Sequence, residues 1–250
     1  MTSGPSLFAR FAFPPNALGY CGPADSVELF EVSSAGADRE ISALATAFDG
    51  AFPYLQLIAG TNGIDDPLDS RVVEAYWIGN RLLEGGAPWM GASLDERFRR
   101  RAGRHWGSIE AAIPAGAVPH HSHHVFGVYP WVGLLREGRV QEPMHVLDRC
   151  RIRWGSVVAV DGDRVLISAR PLGWDGQRIF LDQPRDEWVA WAENGRSPIA
   201  SPQPGDTVAA HWDWVCDVLT PTRLKNLRAW SMHTLALVNA QSPVGMVVER

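Results

Sequence analysis

The stretch RIRWGSVVAVDGDRVLISARPL, residues 151–172, constrains the fold more than any other part of the chain. Two runs rich in β-branched residues flank an Asp-Gly pair, the strongest short-range signal for a β-hairpin. The chain keeps this character beyond residue 172. GQRIFLDQP and DEWVAWAENG read as two more strands, SPIASPQPGD as a Pro-rich loop, and TVAAHWDWVCDVL as one further strand. Thr220-Pro221 then supplies a cap and first residue for a helix, with Leu224, Leu227, Ser231 and Leu235 near one stripe.

The first half has the other periodicity. DREISALATAFDGAF places Ile41, Leu44, Ala45 and Phe48 on one helical face. DSRVVEAYWIGNRLL does the same with Val72, Val73, Tyr76, Trp77 and Leu83, with Asp69 or Ser70 as its cap. Asp25 with Glu28, and Ser93 with Glu96, fit the capping-box spacing. Breakers such as FPPN, FPY and GTNGIDDP separate these segments. The pattern changes near residue 145. The expectation is therefore an α+β chain: a helical N-terminal domain over 1–144, then a small, closed, OB-like β-barrel with a C-terminal helix over 145–250.

A chain of 250 residues buries roughly three quarters of its unfolded surface, so it needs neither disulfide nor metal merely to fold. The net charge of −5 argues against nucleic acid or an anionic membrane as partner. The one basic run, Arg97, Arg99, Arg100, Arg101 and Arg104, reads as a solvated helix face. Three scattered cysteines make no disulfide framework. The N-terminus has the wrong pattern for a signal peptide, and no apolar run approaches 18 residues. A cytoplasmic protein with reduced thiols is expected. Most of the eleven tryptophans belong in a core, and some are of the kind that lines a partner surface.

Two segments carry a resemblance. Cys150 is followed by three residues, then Trp154, Gly155, the run SVVAV and the turn DGD; 61 positions after that cysteine, PGDTVAAHWDWVCDVL brings His211 to the end of a Val-rich run. In this order and spacing, residues 145–240 resemble the HypC/HupF-type NiFe-hydrogenase maturation chaperones. The family's cysteine follows the initiator methionine and its usual proline is Trp154 here, whereas Cys150 is internal. The resemblance implies an OB-like barrel that holds iron through Cys150 and His211. It also implies partners, a hydrogenase large subunit or a HypD-type scaffold protein or both, and an escort role without turnover. Thiolate and imidazole are apt ligands for such iron, and two protein ligands leave positions free for transfer.

PHHSHHVFGVYPWVG supplies a second candidate in His120, His121, His123 and His124. On a helix His120 and His124 share a face; on a strand His121 and His123 do. Either pair suits nickel, zinc or iron through neutral imidazoles, or else the four are hydrogen-bonded structural residues. The alternative function is accordingly a metal- or haem-dependent enzyme using this cluster, with the barrel as docking module. Cys21, in a Gly-flanked turn, reads as a small buried hydrophobe or as a ligand. Glu74, Tyr76 and Asn80, beside Trp77, read as satisfied core contacts. Asp213, sharing a strand face with His211, reads either as orienting its imidazole or as a surface pair with it, and Cys216 falls on the opposite face as a structural residue. No nucleophile elbow, P-loop, Rossmann fingerprint or CxxC pair is present.

Overall fold

The computed structural model describes residues 2–24, 26–84 and 116–240. The Asp25 and Ser93 caps and the basic run of residues 97–104 lie outside the described residues. The described fold is α+β, with nine helices and a closed five-stranded barrel.

Helix α1 (Gly4–Ala17) runs through the centre of the helical half. It starts at Ser3, whose hydroxyl accepts the Ser6 N–H at 3.2 Å. Leu7, Phe8, Phe11, Ala12 and Phe13 are all buried, as befits a helix that is apolar nearly all round. The break expected at FPPN does not occur: α1 continues through Pro14 and Pro15 to Ala17. Around it lie α2 (Ser26–Ala35), α3 (Asp38–Ala45), α4 (Phe52–Thr61) and α5 (Ser70–Trp77). Asp69 caps α5 by accepting the Arg71 N–H at 2.9 Å. Ile41 and Ala45 of α3, and Val72, Val73, Tyr76 and Trp77 of α5, are the buried faces. A single helical turn, α6 (His121–His123), passes into a π-helical turn (His124–Val128), followed by α7 (Trp131–Arg136) and α8 (Gln141–Cys150). Cys150 is thus the last residue of a helix.

The barrel comprises β1 (Arg153–Asp161), β2 (Arg164–Ala169), β5 (Arg185–Ala190), β6 (Thr207–His211) and β7 (Trp214–Val218), in the order β1-β2-β5-β7-β6, with β1 pairing β6 to close it. Gly162 takes φ +53° in the Asp-Gly turn between β1 and β2. Val157, Val165, Ile167, Val189, Val208 and Val215 fill the interior. A separate two-stranded sheet, β3 (Leu172–Trp174) with β4 (Ile179–Leu181), packs on α8 and on the last helix, α9 (Pro221–Ala240). Thr220 accepts the Arg223 N–H at 3.3 Å as the cap of α9.

The segment read as one strand, TVAAHWDWVCDVL, is two. Trp212 adopts φ +52° and turns the chain between β6 and β7. That corrects two placements: His211 and Asp213 do not share a strand face, and Cys216 lies on β7 rather than farther along the strand of His211. A tryptophan in the left-handed region costs energy, and no glycine or asparagine marks the turn. It persists because Trp212 is buried and its N–H donates to the Arg149 carbonyl at 2.7 Å.

The largest core cluster spans both halves of the chain. Ile152, Ala209, Cys216, Leu219 and Leu227 pack into the same apolar mass as α1–α5. The face of β6 and β7 against α1 is therefore a core wall. Two ion-paired networks border it: Arg10 and Arg223 on Asp217, with Glu74 bound to Arg223, and Arg149 and Arg153 on Glu187. No described helix is long and apolar enough to cross a membrane.

Candidate metal centre

Where α8 ends and β1 begins, the antiparallel register with β6 brings two distant residues together. Arg153 pairs with Ala210, so Cys150, just before β1, approaches His211 at the end of β6. The α6 turn adds His121. The ligand-capable atoms of His121, Cys150 and His211 all lie within 4.8 Å of one another. Bonds of about 2.0–2.3 Å to nitrogen and sulfur bring such atoms slightly closer still, a shift that side-chain rotation supplies.

Each ring is held by its other nitrogen. His211 Nδ1 donates to the Phe11 carbonyl at 2.7 Å, and its Nε2, wholly buried, has no hydrogen-bond partner among the described residues. The reason Phe11 is free to accept lies in α1. In a regular helix that carbonyl takes the N–H of the residue four places on, which is Pro15 and has none. The proline that fails to stop the helix thereby leaves one carbonyl for the histidine. Fixing the tautomer through a backbone carbonyl, so that the remote lone pair points at the site, is how metal-binding imidazoles are commonly oriented.

His121 Nε2 lies 2.8 Å from the Cys150 carbonyl, and Nδ1 lies 3.2 Å from the Tyr76 hydroxyl, which in turn reaches the Gly50 carbonyl at 3.1 Å. These three contacts need three protons, but a neutral imidazole and a phenol supply two. The Cys150 carbonyl can only accept, so in the metal-free chain Nε2–H donates to it, and the one Tyr76 proton is shared between Gly50 and Nδ1. A cation at Nε2 would displace the Nε2 proton to Nδ1, which then donates to Tyr76 while Tyr76 donates to Gly50. The surroundings favour it over a third proton, since burial holds the His121 imidazole down at about 4. Burial, with His121 nearby, also holds His211 well below its ordinary value, and burial pushes the Cys150 thiol up. The imidazoles are therefore neutral donors at physiological pH, while the thiol keeps its proton until something displaces it.

The centre opens on a cavity of about 100 Å³, room for a few water-sized molecules. Phe48, Trp77, Val125 and Val146 make its lining largely apolar. Trp77 packs on both ligand rings, at 4.6 Å from His121 and 5.7 Å from His211.

The other candidates fall elsewhere. His120 caps α6, its Nδ1 accepting the Ser122 N–H at 3.2 Å. His123 packs against Gly127. His124 lines the cavity but turns to Tyr54, 3.4 Å from its hydroxyl, with its ring 6.3 Å from that of His121. Among the described residues, no group of three or more ligand-capable side chains includes His120, His123 or His124; the segment that carries them is a one-turn helix that widens into the π-helical turn. Asp213 does not orient His211; it accepts from Arg149 at 2.9 Å on the surface. Cys216 is buried against the helices. Glu74 is half-buried and paired with Arg223, and Tyr76 is more than a core contact, since it touches a ligand ring.

A family model described as a family of unknown function, DUF6390, matches residues 1–244, spanning both the helical half and the barrel. No curated protein and no solved structure matches the chain.

Proposed function

This chain belongs to the family of unknown function DUF6390, and we propose that it binds one transition-metal ion through His121, Cys150 and His211 and passes it to a partner protein. The observation that carries this reading is the convergence of one thiol and two oriented imidazoles, one of them with an unpartnered buried nitrogen. One soft and two borderline donors suit iron, zinc or copper. Three protein ligands leave a coordination position open, which is what a site of exchange requires and a closed structural site lacks. The metal would supply Lewis acidity and ligand exchange; the chain's own residues hold the imidazoles neutral and keep bulk water away from them.

Iron is the first choice of metal. Cys150 and His211 are the two positions that the HypC/HupF resemblance marks for iron. A five-stranded closed barrel is compatible with the OB-like architecture of that reading. A hydrogenase large subunit or a HypD-type scaffold protein is then the proposed partner. The alternative, a metal- or haem-dependent enzyme, draws support from the open position beside an apolar cavity.

The test is anaerobic calorimetry with ferrous iron, zinc and nickel on the full chain, together with isolation of co-purifying proteins. One ion per chain is expected, with binding abolished in Cys150→Ala and weakened at least tenfold in His211→Ala. Absence of binding by the unaltered chain refutes the reading. Metal-dependent turnover without a hydrogenase-assembly partner favours the enzyme.

A further inference from the structure

Cys21 lines the same cavity as His121, Cys150 and His211. It sits in the loop of residues 18–24 that succeeds α1. Three contacts hold that loop in place. The Asn16 amide donates to the Cys21 carbonyl at 2.8 Å and to the Pro23 carbonyl at 2.7 Å. Tyr20 stacks on Trp212, the residue after His211, with ring centroids 4.3 Å apart. Gly22 lies at φ +86° so close to Phe48 that a Cβ there would be 2.3 Å from its ring. The loop is thus docked on the turn that carries one ligand histidine, while Leu18 and Tyr20, more than half exposed, face solvent. It forms an outer wall of the cavity.

A further feature asks for a donor set here: His211 lines the same cavity, and its Nε2 is buried and unpartnered among the described residues.

We propose that Cys21 is the fourth donor of the centre, so that the loop of residues 18–24 converts an open two-nitrogen, one-sulfur site into a closed tetrahedral site with two nitrogens and two sulfurs. This inference rests on the metal-binding reading above. Two thiolates with two imidazoles select a tetrahedral ion of the zinc or ferrous type over octahedral ions such as magnesium. Cys21 lies outside the tight three-residue cluster, so the closed state needs a movement of its loop, and the reverse movement frees one position for a partner's donor. Loading and release are then gated at one outer-wall residue, while Cys150, His121 and His211 keep their places at the ends of α8, α6 and β6.

The experiment is X-ray absorption on the full-length protein loaded with zinc alone, under a non-thiol reductant, with cobalt titration as a second probe. Two sulfurs at about 2.3 Å are expected in the unaltered chain, which requires no substitution and so no assumption about folding. One sulfur is expected in Cys21→Ala, and no bound zinc in Cys150→Ala. The sulfur-to-cobalt charge-transfer band should fall by about half in Cys21→Ala, with zinc affinity reduced at least tenfold. Zinc bound through a single sulfur in the unaltered chain overturns the role of Cys21 and leaves the three-donor reading standing. Failure to bind either ion removes both.

Discussion

Acidification should unfold this protein through its buried histidines, and the size of the effect comes from their burial. His120, His121 and His123 are held, chiefly by burial, at about 3, 4 and 4, and His211 well below its ordinary value. In the unfolded chain each returns to about 6.5. Between those limits the unfolded state carries the proton and the folded state does not, so stability rises with pH at about 1.4 kcal/mol per unit for each histidine. Stability from this source is complete above pH 6.5 and is lost as the pH falls toward 4. Between pH 7 and pH 5.5 each such group costs about 1.2 kcal/mol, and the four together about 5 kcal/mol. Domains are stable by only about 5–15 kcal/mol, so most of the margin should go. The assay is urea unfolding of the metal-free chain at pH 7.0 and 5.5. It is paired with calorimetry in two buffers of different ionisation enthalpy, which should count between three and four protons taken up on unfolding. A stability change below about 1.5 kcal/mol, or uptake of one proton or fewer, would refute the view that these rings are buried neutral.

The same wall of the core sets two further outcomes. Pro15→Ala returns an N–H to the Phe11 carbonyl, which then has two suitors. The helix should gain stability, up to about 3 kcal/mol, while zinc affinity falls about tenfold as His211 loses its fixed tautomer; calorimetry beside thermal melting reads both, and unchanged affinity would sever the link between the proline and the site. Tyr76→Phe keeps the buried ring but removes the acceptor for His121 Nδ1–H, so zinc affinity should drop between about ten- and a hundredfold. The nitrogen chemical shifts of His121 should move toward the other tautomer, a change that loss of packing alone does not produce.

Much of the scaffold is readable residue by residue because it is written locally. The Asp-Gly turn sets the β1–β2 hairpin, Asp69 and Thr220 mark helix starts through their own oxygens, and the spacing of Ile41 and Ala45, or of Val72, Val73 and Tyr76, declares the buried face of a helix. Cys150 and His211 are marked as a pair by the HypC/HupF resemblance, not by any local pattern. Other features were decided only when the chain closed on itself. Which of four neighbouring histidines faces Cys150 depends on a one-turn helix widening into a π-helical turn, a matter of how α6, packed on α9, meets Tyr76 and the Cys150 carbonyl. The Trp212 turn violates local preference and survives on burial and one backbone hydrogen bond. The carbonyls of Phe11, Gly50 and Cys150, which set the tautomers at the centre, have no side-chain signature at all. Periodicity and capping act over a few residues, whereas a ligand set is assembled by strand register and helix packing across 29 and 200 positions. Local chemistry therefore fixes the elements, and only their packing selects His121, Pro15 and Tyr76 to serve the site.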